Sequence, residues 1–275
     1  TETQYCYGDD EHNLGNYAWY GNNSGSKTHP VGEKRPNDWQ LYDLHGNVLE
    51  WVQDWYAGDY YKQSPSENPT GPESGSLRVS RGGSWYSVAE SCRSAYRDNW
   101  LPGLRRYYLG FRLARTGPWP LDALTLGASK VADQKPRYEP YQGFRDHLAD
   151  GSEAPEVVYL PGGTFNMGDD RGKGWGKEGP VHEVTLDAFA IGRYPVTVGE
   201  YLEFVDATGS HHPSWLEECS DHHIETGKDD LYRRVGMNRD AKDLPVVGIN
   251  WEDAAAYCEW LSEQTGGHHP EWLEE

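Results

Sequence analysis

RVSRGGSWYSVAESCRSAYRDNWLPGLRRYYLGFRLAR, residues 78–115, interleaves two patterns. One is a framework: Arg81-Gly82-Gly83-Ser84-Trp85, Cys92-Arg93-Ser94-Ala95, Arg97, Arg106 and Gly110-Phe111-Arg112. The other fills the gaps with side chains of no common character: Tyr86, Ser87, Val88, Glu90, Tyr96, Asp98, Trp100, Leu101, Leu104, Tyr107 and Tyr108. Buried strands do not look like this, because their inward positions must be apolar at period two. A fixed framework presenting mixed, aromatic-rich positions reads as a surface that contacts something. Tyr and Trp suit that role because they give large contact area at low rotamer-entropy cost.

The rest of the composition narrows what that contact is. The chain has 275 residues, enough for one large domain or two small ones, with 12 Trp and 19 Tyr. Its formal net charge is −19, unevenly spread. Residues 1–115 hold 12 Lys and Arg against 14 Asp and Glu, which leaves 13 against 30 in residues 116–275. An acidic surface repels phosphate backbones and anionic lipid, so no nucleic-acid partner and no membrane-surface partner is expected. Cations are not repelled. No run of about 18 apolar residues is present, so no transmembrane helix is expected, and no signal peptide is visible. The chain begins at Thr1 rather than Met, which suggests a piece of something longer, so the sequence assigns no compartment. Cys6, Cys92, Cys219 and Cys258 form no CxxC pair. That spacing argues against zinc and permits one or two disulfides without requiring them.

Upstream of the opening stretch, residues 1–30 read as loop. Asn37–Trp51 places a tight Gly46-Asn47 turn before an alternating strand through Val48–Val52. Asp43 and Glu50 bracket that turn. With the carbonyls between them they could give Ca²⁺ hard oxygen ligands, and the same spacing also fits a polar turn with two solvated carboxylates. Downstream, residues 116–155 lose periodicity at Pro118, Pro120, Pro136, Pro140 and Pro155 and read as a linker or irregular crossover. Strands are expected at Glu156–Pro161, within Gly162–Gly168 and at His182–Leu186. Thr197 with Glu200 forms a capping-box pattern for a helix that buries Tyr201, Phe204 and Val205 and ends at Gly209. Residues 210–245 read as irregular and acidic. Asn250 caps a helix over 251–265, with Ala254, Tyr257, Cys258 and Leu261 on one stripe, so Cys258 reads as a core or disulfide residue.

Both halves resemble the formylglycine-generating-enzyme-like, or sulfatase-modifying-factor, domain, a variant of the C-type lectin fold. LYDLHGNVLEW (41–51) and RGGSW…CRSAYR…GFR (81–112) look like that family's C-terminal half. LPGGTFNMG (160–168), VHEVTLDAFAIGRYPVT (181–197) and LPVVGINWEDAAAYCEWL (244–261) look like its N-terminal half. The resemblance implies an irregular, loop-rich α+β fold, with the halves in reversed order. Three segments follow: residues 1–115, a linker 116–155, and residues 156–275. Either the halves form one circularly permuted domain, or they are the tail and head of tandem domains. Complementary halves also permit self-association between chains. The resemblance further implies that Cys92 pairs with Cys258. In a permuted domain these two should lie within disulfide reach, with Cα atoms less than about 7 Å apart.

The family's oxidases bind copper through two nearby cysteines. The first would fall at position 87, which is Ser87 here, and no second lies between it and Cys92. The family's tryptophan in the turn motif is Leu49. Copper and oxidase chemistry are therefore not expected, and no segment resembles the helical domain of the iron-dependent sulfoxide synthases. The fold also resembles the variable proteins of diversity-generating retroelements, which keep such a framework and vary the positions between. On that reading Tyr86–Tyr108 bind a protein or small-molecule ligand, and on the plainer one they form an unconstrained loop. The resemblance implies calcium ligation by the Asp43 and Glu50 side chains and the Gly46 and Val48 carbonyls, with a second, looser site around Trp19–Gly25 that includes Asn23. Two features lack an account: HHPEWLEE (268–275) nearly repeats HHPSWLEE (211–218), and His-His pairs stand at 211–212, 222–223 and 268–269. Adjacent histidines rarely face one metal, so a metal role for them is disfavoured.

Overall fold

The computed structural model describes residues 3–116, 138–170 and 177–266, and the backbone of 271–272. In chain order the elements are β1 (Ala18–Trp19), β2 (His45–Gly46), β3 (Leu49–Trp55), β4 (Arg78–Arg81), β5 (Asp98–Trp100), β6 (Leu109–Phe111) and β7 (Leu113–Thr116). Then follow β8 (Gly143–Phe144), β9 (Val157–Leu160), β10 (Gly163–Met167), β11 (His182–Leu186), β12 (Phe189–Gly192), α1 (Val198–Thr208), α2 (Leu231–Arg234), α3 (Trp251–Gln264) and β13 (Glu271–Trp272). A four-stranded sheet runs β5-β4-β3-β6, with β6 parallel to β3. A five-stranded antiparallel sheet runs β13-β7-β12-β9-β8. Two short ladders, β1-β2 and β10-β11, complete the irregular α+β architecture.

Both longer helices start where their caps direct. The Thr197 hydroxyl accepts from the Glu200 N–H while the Glu200 carboxylate accepts from the Thr197 N–H, which satisfies two donors that the first turn leaves open. Asn250 and Asp253 do the same for α3. Gly209 closes α1 in the left-handed conformation that its missing Cβ permits, at φ +65°.

The expected segments share one core. Trp51, Trp85, Leu109 and Phe111 pack with Tyr201, Phe204, Trp215, Tyr257 and Cys258. Strands cross as well, with Ala114 of β7 opposite Ile191 of β12. Gly110 shows how close the approach is: a Cβ there would sit 2.5 Å from the Val246 carbonyl oxygen. Residues 117–137 of the expected linker lie outside the described residues. Gly143–Phe144, however, forms a strand, and Leu148 and Ala154 join the main core.

Two expectations are corrected. The opening stretch does contain buried strands, because β6 and the first three residues of β7 are covered on both faces. A strand covered on both faces need not alternate. The Cys92–Cys258 disulfide is absent, since all four cysteines are free thiols. Cys92 belongs to a small cluster with Tyr5, Leu14, Ala18 and Ala89, whereas Cys258 lies in the main core. The segments meet through strands, packing and ion pairs rather than through sulfur.

Candidate functional site

Most of the framework of the opening stretch is interior, with Arg81, Gly82, Ser94, Ala95 and Arg106 half-buried. Arg93 is fully buried, its Nη1 donating to Asp169 Oδ2 at 3.0 Å and Glu178 Oε2 at 2.8 Å, and its Nη2 to Glu178 Oε1 at 2.9 Å. Arg112, also fully buried, donates to both oxygens of Glu50 and to the carbonyls of Tyr42, Gly192 and Arg193. Arg81 reaches the carbonyls of Ser94 and Tyr96 and the hydroxyl of Tyr61, and Arg97 reaches the carbonyl of Lys177. The planar guanidinium satisfies several irregular backbone carbonyls at once, which is why arginine recurs in a loop-rich scaffold. Gly83 has φ +72°, and a Cβ there would lie 2.6 Å from Cys92 Sγ. That close approach fixes the glycine next to the cysteine.

The intervening positions behave differently. Tyr86, Val88 and Leu101 are 66%, 62% and 60% exposed, and Glu90 is exposed beside them in sequence. Tyr86 stacks on Tyr108 with ring centroids 6.1 Å apart, and Tyr107 meets Tyr108 edge-on at 5.1 Å. Trp100 is tilted against Tyr108 at 6.5 Å, and Trp85 lies 5.8 Å from Tyr107. A buried tryptophan thus supports a half-buried aromatic layer, with Tyr86 outermost. Burial raises the Tyr108 hydroxyl above the ordinary tyrosine range, so the ring carries a neutral phenol.

Not every expected ligand residue joins this face. Ser87 Oγ accepts from the Ser84 N–H at 2.9 Å and lies 3.1 Å from Ser84 Oγ, so it closes a turn. Leu104 is half-buried and closes another, its N–H donating to the Leu101 carbonyl. Tyr96 and Asp98 line a separate cavity of about 120 Å³ with Arg97, Lys177 and Glu178. Burial raises both of their acid groups.

The turn expected to hold calcium is buried rather than solvated, because both carboxylates are inside. Asp43 accepts from the Gly32 N–H at 2.8 Å and from Asn47 Nδ2 at 3.4 Å. Burial pushes its carboxyl up to about 6, against the pull of those donors and of Arg112. Both Glu50 oxygens receive Arg112. The oxygen donors suit a hard cation, and the desolvated Asp43 would be relieved by one, while Glu50 would share its charge with arginine. No group of three or more His, Cys, Asp and Glu side chains suited to a metal occurs among the described residues, so calcium here would rest on two carboxylates and two carbonyls. Asn23 is committed elsewhere: its Oδ1 accepts from the Tyr20 N–H and its Nδ2 donates to the Ala18 carbonyl.

The sequence reading missed a cleft of about 760 Å³, whose lining includes Arg105, His211, His223, Glu218, Glu225 and Asp253. HHPSWLEE builds part of its wall. Trp215 is fully buried, with Nε1 donating to the Val247 carbonyl, and His211, His212, Leu216, Glu217 and Glu218 line the cleft around it. The signal was the repeated motif itself. The third His-His pair and the second HHPxWLEE copy lie outside the described residues, except for the backbone of Glu271–Trp272.

The model of the sulfatase-modifying factor enzyme 1-like domain matches residues 1–117 and 144–272. The chain belongs to this family, and its α+β fold is of the formylglycine-generating-enzyme type. Serine/threonine-protein kinase pkn1 of Chlamydia pneumoniae is 46% identical over 82 residues, 29% of this chain and 13% of the kinase. Inactive C-alpha-formylglycine-generating enzyme 2 of Mus musculus is 33% identical over 133 residues, 40% of this chain and 43% of the relative. Among solved structures, Treponema denticola variable protein 1 is 51% identical over 38% of this chain and 37% of its own, with a TM-score of 0.36. Each match spans less than half of the relative.

Proposed function

We propose that this chain is a binding module on a formylglycine-generating-enzyme-like scaffold, with its ligand surface at Tyr86, Val88, Trp100, Leu101, Tyr107 and Tyr108. The observation that carries the reading is a division by burial within one stretch. Arg93, Arg97 and Arg112 are buried and hydrogen-bonded, while Tyr86, Val88 and Leu101 are exposed and Tyr86 stacks on the half-buried Tyr108. Large apolar side chains left exposed on a folded surface favour an interaction site. A protein surface or an apolar small molecule fits it, and the net charge of −19 disfavours nucleic acid and anionic membranes. A peptide library displayed on phage and selected on the immobilised chain tests the proposal. Selected binders should lose binding to Tyr86→Ala/Leu101→Ala, and binders that hold that variant equally well would sink it.

An oxidase reading is less well supported. Ser87 stands where the family's first copper thiolate is expected, and its hydroxyl is tied to Ser84. Burial pushes the Cys92 thiol up to about 12, far from a thiolate at neutral pH. Copper-dependent oxidation of a cysteine peptide by this chain would reverse the preference.

Two structural parts complete the proposal. The segments 1–116 and 138–272 act as one permuted domain, supported by their shared core and the β7–β12 pairing, with the free Cys92 and Cys258, expected within disulfide reach in such a domain, weighing against it. Calcium binds at Asp43, Glu50 and the Gly46 and Val48 carbonyls and holds the turn that precedes β3. Calcium should raise the Tm of the wild-type chain and leave that of Asp43→Asn unmoved. An equal shift in both would place the ion elsewhere.

A further inference from the structure

Two adjacent arginines beside the aromatic layer are held in different ways. Arg105 is neutralised twice: Nη2 lies 2.9 Å from Asp253 Oδ2, and Nη1 3.0 Å from Glu217 Oε2. Arg106 makes no ion pair among the described residues, whereas Arg93 and Arg112 of the same framework both hold carboxylates. Its contacts are aromatic instead. The guanidinium carbon lies 5.9 Å from the centre of the Trp100 ring, and the Tyr108 hydroxyl lies beside it. A ring face and a neutral phenol attract a guanidinium without neutralising it, and they cannot fill its five N–H donors. The two carboxylates of the stretch are engaged elsewhere. Asp98 is felt at Tyr108, but its Oδ1 accepts the Asn99 N–H, and Glu90 acts on Tyr5 and Cys92. An unbalanced cation therefore sits against the same rings, Trp100 and Tyr108, that support Tyr86.

We infer that the aromatic face binds a polypeptide through a carboxylate, an Asp or Glu side chain next to an apolar one, with Arg106 holding the carboxylate and the rings holding its neighbour. The inference rests on the reading of that face as a ligand surface and adds the chemistry of the partner. The planar donors of a guanidinium match the two oxygens of a carboxylate, and stacking on an aromatic ring keeps that fork oriented. Tyr, Trp and Arg are also the side chains that dominate binding energy at protein interfaces. A polypeptide fits better than an enclosed small molecule, because small-molecule sites are concave, and Tyr86, Val88 and Leu101 are each at least 60% exposed. The acidity of the chain does not forbid such a partner. Residues 1–115, which hold the whole face, carry 12 basic against 14 acidic residues, and charges farther off are screened over about 8 Å at physiological salt.

The test is selection of a random peptide library on phage against the immobilised chain, followed by fluorescence anisotropy of the recovered peptides with wild type and Arg106→Gln. The Arg106 backbone carbonyl accepts the Gly248 N–H at 2.9 Å, a bond that the substitution leaves in place, so the variant should fold. Recovered peptides should carry Asp or Glu beside an aromatic or aliphatic residue. They should bind Arg106→Gln about fivefold more weakly, and exchanging their carboxylate for the amide should cost the same factor on wild type. The two changes together should cost no more than either alone, since both remove one pair. Additive losses, peptides without an acidic residue, or equal binding to wild type and Arg106→Gln would overturn the inference. Loss of those same peptides on Tyr86→Ala/Leu101→Ala would then leave the aromatic surface standing without its carboxylate chemistry. Retention on that variant, or recovery of no peptide at all, would overturn both.

Discussion

Within the 23 residues from Tyr86 to Tyr108, Arg93 and the tyrosines show two opposite uses of a large side chain. Arg93 is buried with Nη1 and Nη2 donating to Asp169 and Glu178 and Nε to the Glu90 carbonyl, so its neighbours leave it one conformation. Tyr86 rests on Trp85 and Tyr108 by ring contact alone and is two-thirds exposed. Changing the first disturbs the assembly of the chain, and changing the second disturbs only what the chain presents.

The sharpest way to break the contrast is Arg93→Ala. It leaves two carboxylates buried without their cation and should cost about 3–5 kcal/mol in urea unfolding. A loss below about 1 kcal/mol would show that the site rehydrates and that the framework is not held by this cluster. Next is Gly83→Ala, which forces a Cβ against Cys92 Sγ at positive φ and should cost about 2–3 kcal/mol by the same measurement. Thiol labelling comes third. Cys219 is exposed and should react with iodoacetamide at neutral pH, while Cys92 and Cys258, buried and with raised thiols, should react only on unfolding. A disulfide-linked peptide in a non-reducing digest would contradict the free thiols. The smallest effect should be Tyr86→Ala, within about 0.5 kcal/mol of wild type in stability, with its consequence confined to binding.

Much of the local structure was legible in the sequence. The capping boxes at Thr197 and Asn250 and the glycine stop at Gly209 depend on short-range hydrogen bonds and backbone freedom, so residue type alone reveals them. The strand at His182–Leu186 was legible for a similar reason, from its own alternation. β6 and β7 were not, because two covered faces erase the alternation that marks a strand. The cleft was not legible either. It joins Arg105 to Asp253 across 148 positions, and no spacing rule spans that distance.

For the candidate ligand set, the sequence separated framework from filler but could not sort the filler. Ser87, Tyr96 and Tyr86 stand equally among the mixed positions, yet one closes a turn, one lines a small cavity and one faces solvent. The sequence by itself determined the family, the helix caps and the division of residues 78–115 into two layers. Those depend on local chemistry and on motif identity. Only the tertiary structure decided that Cys92 and Cys258 occupy different cores, that Glu50 is held by Arg112, and that HHPSWLEE walls a cleft. Those outcomes depend on which distant groups compete for the same partner, a competition that exists only once the chain is packed.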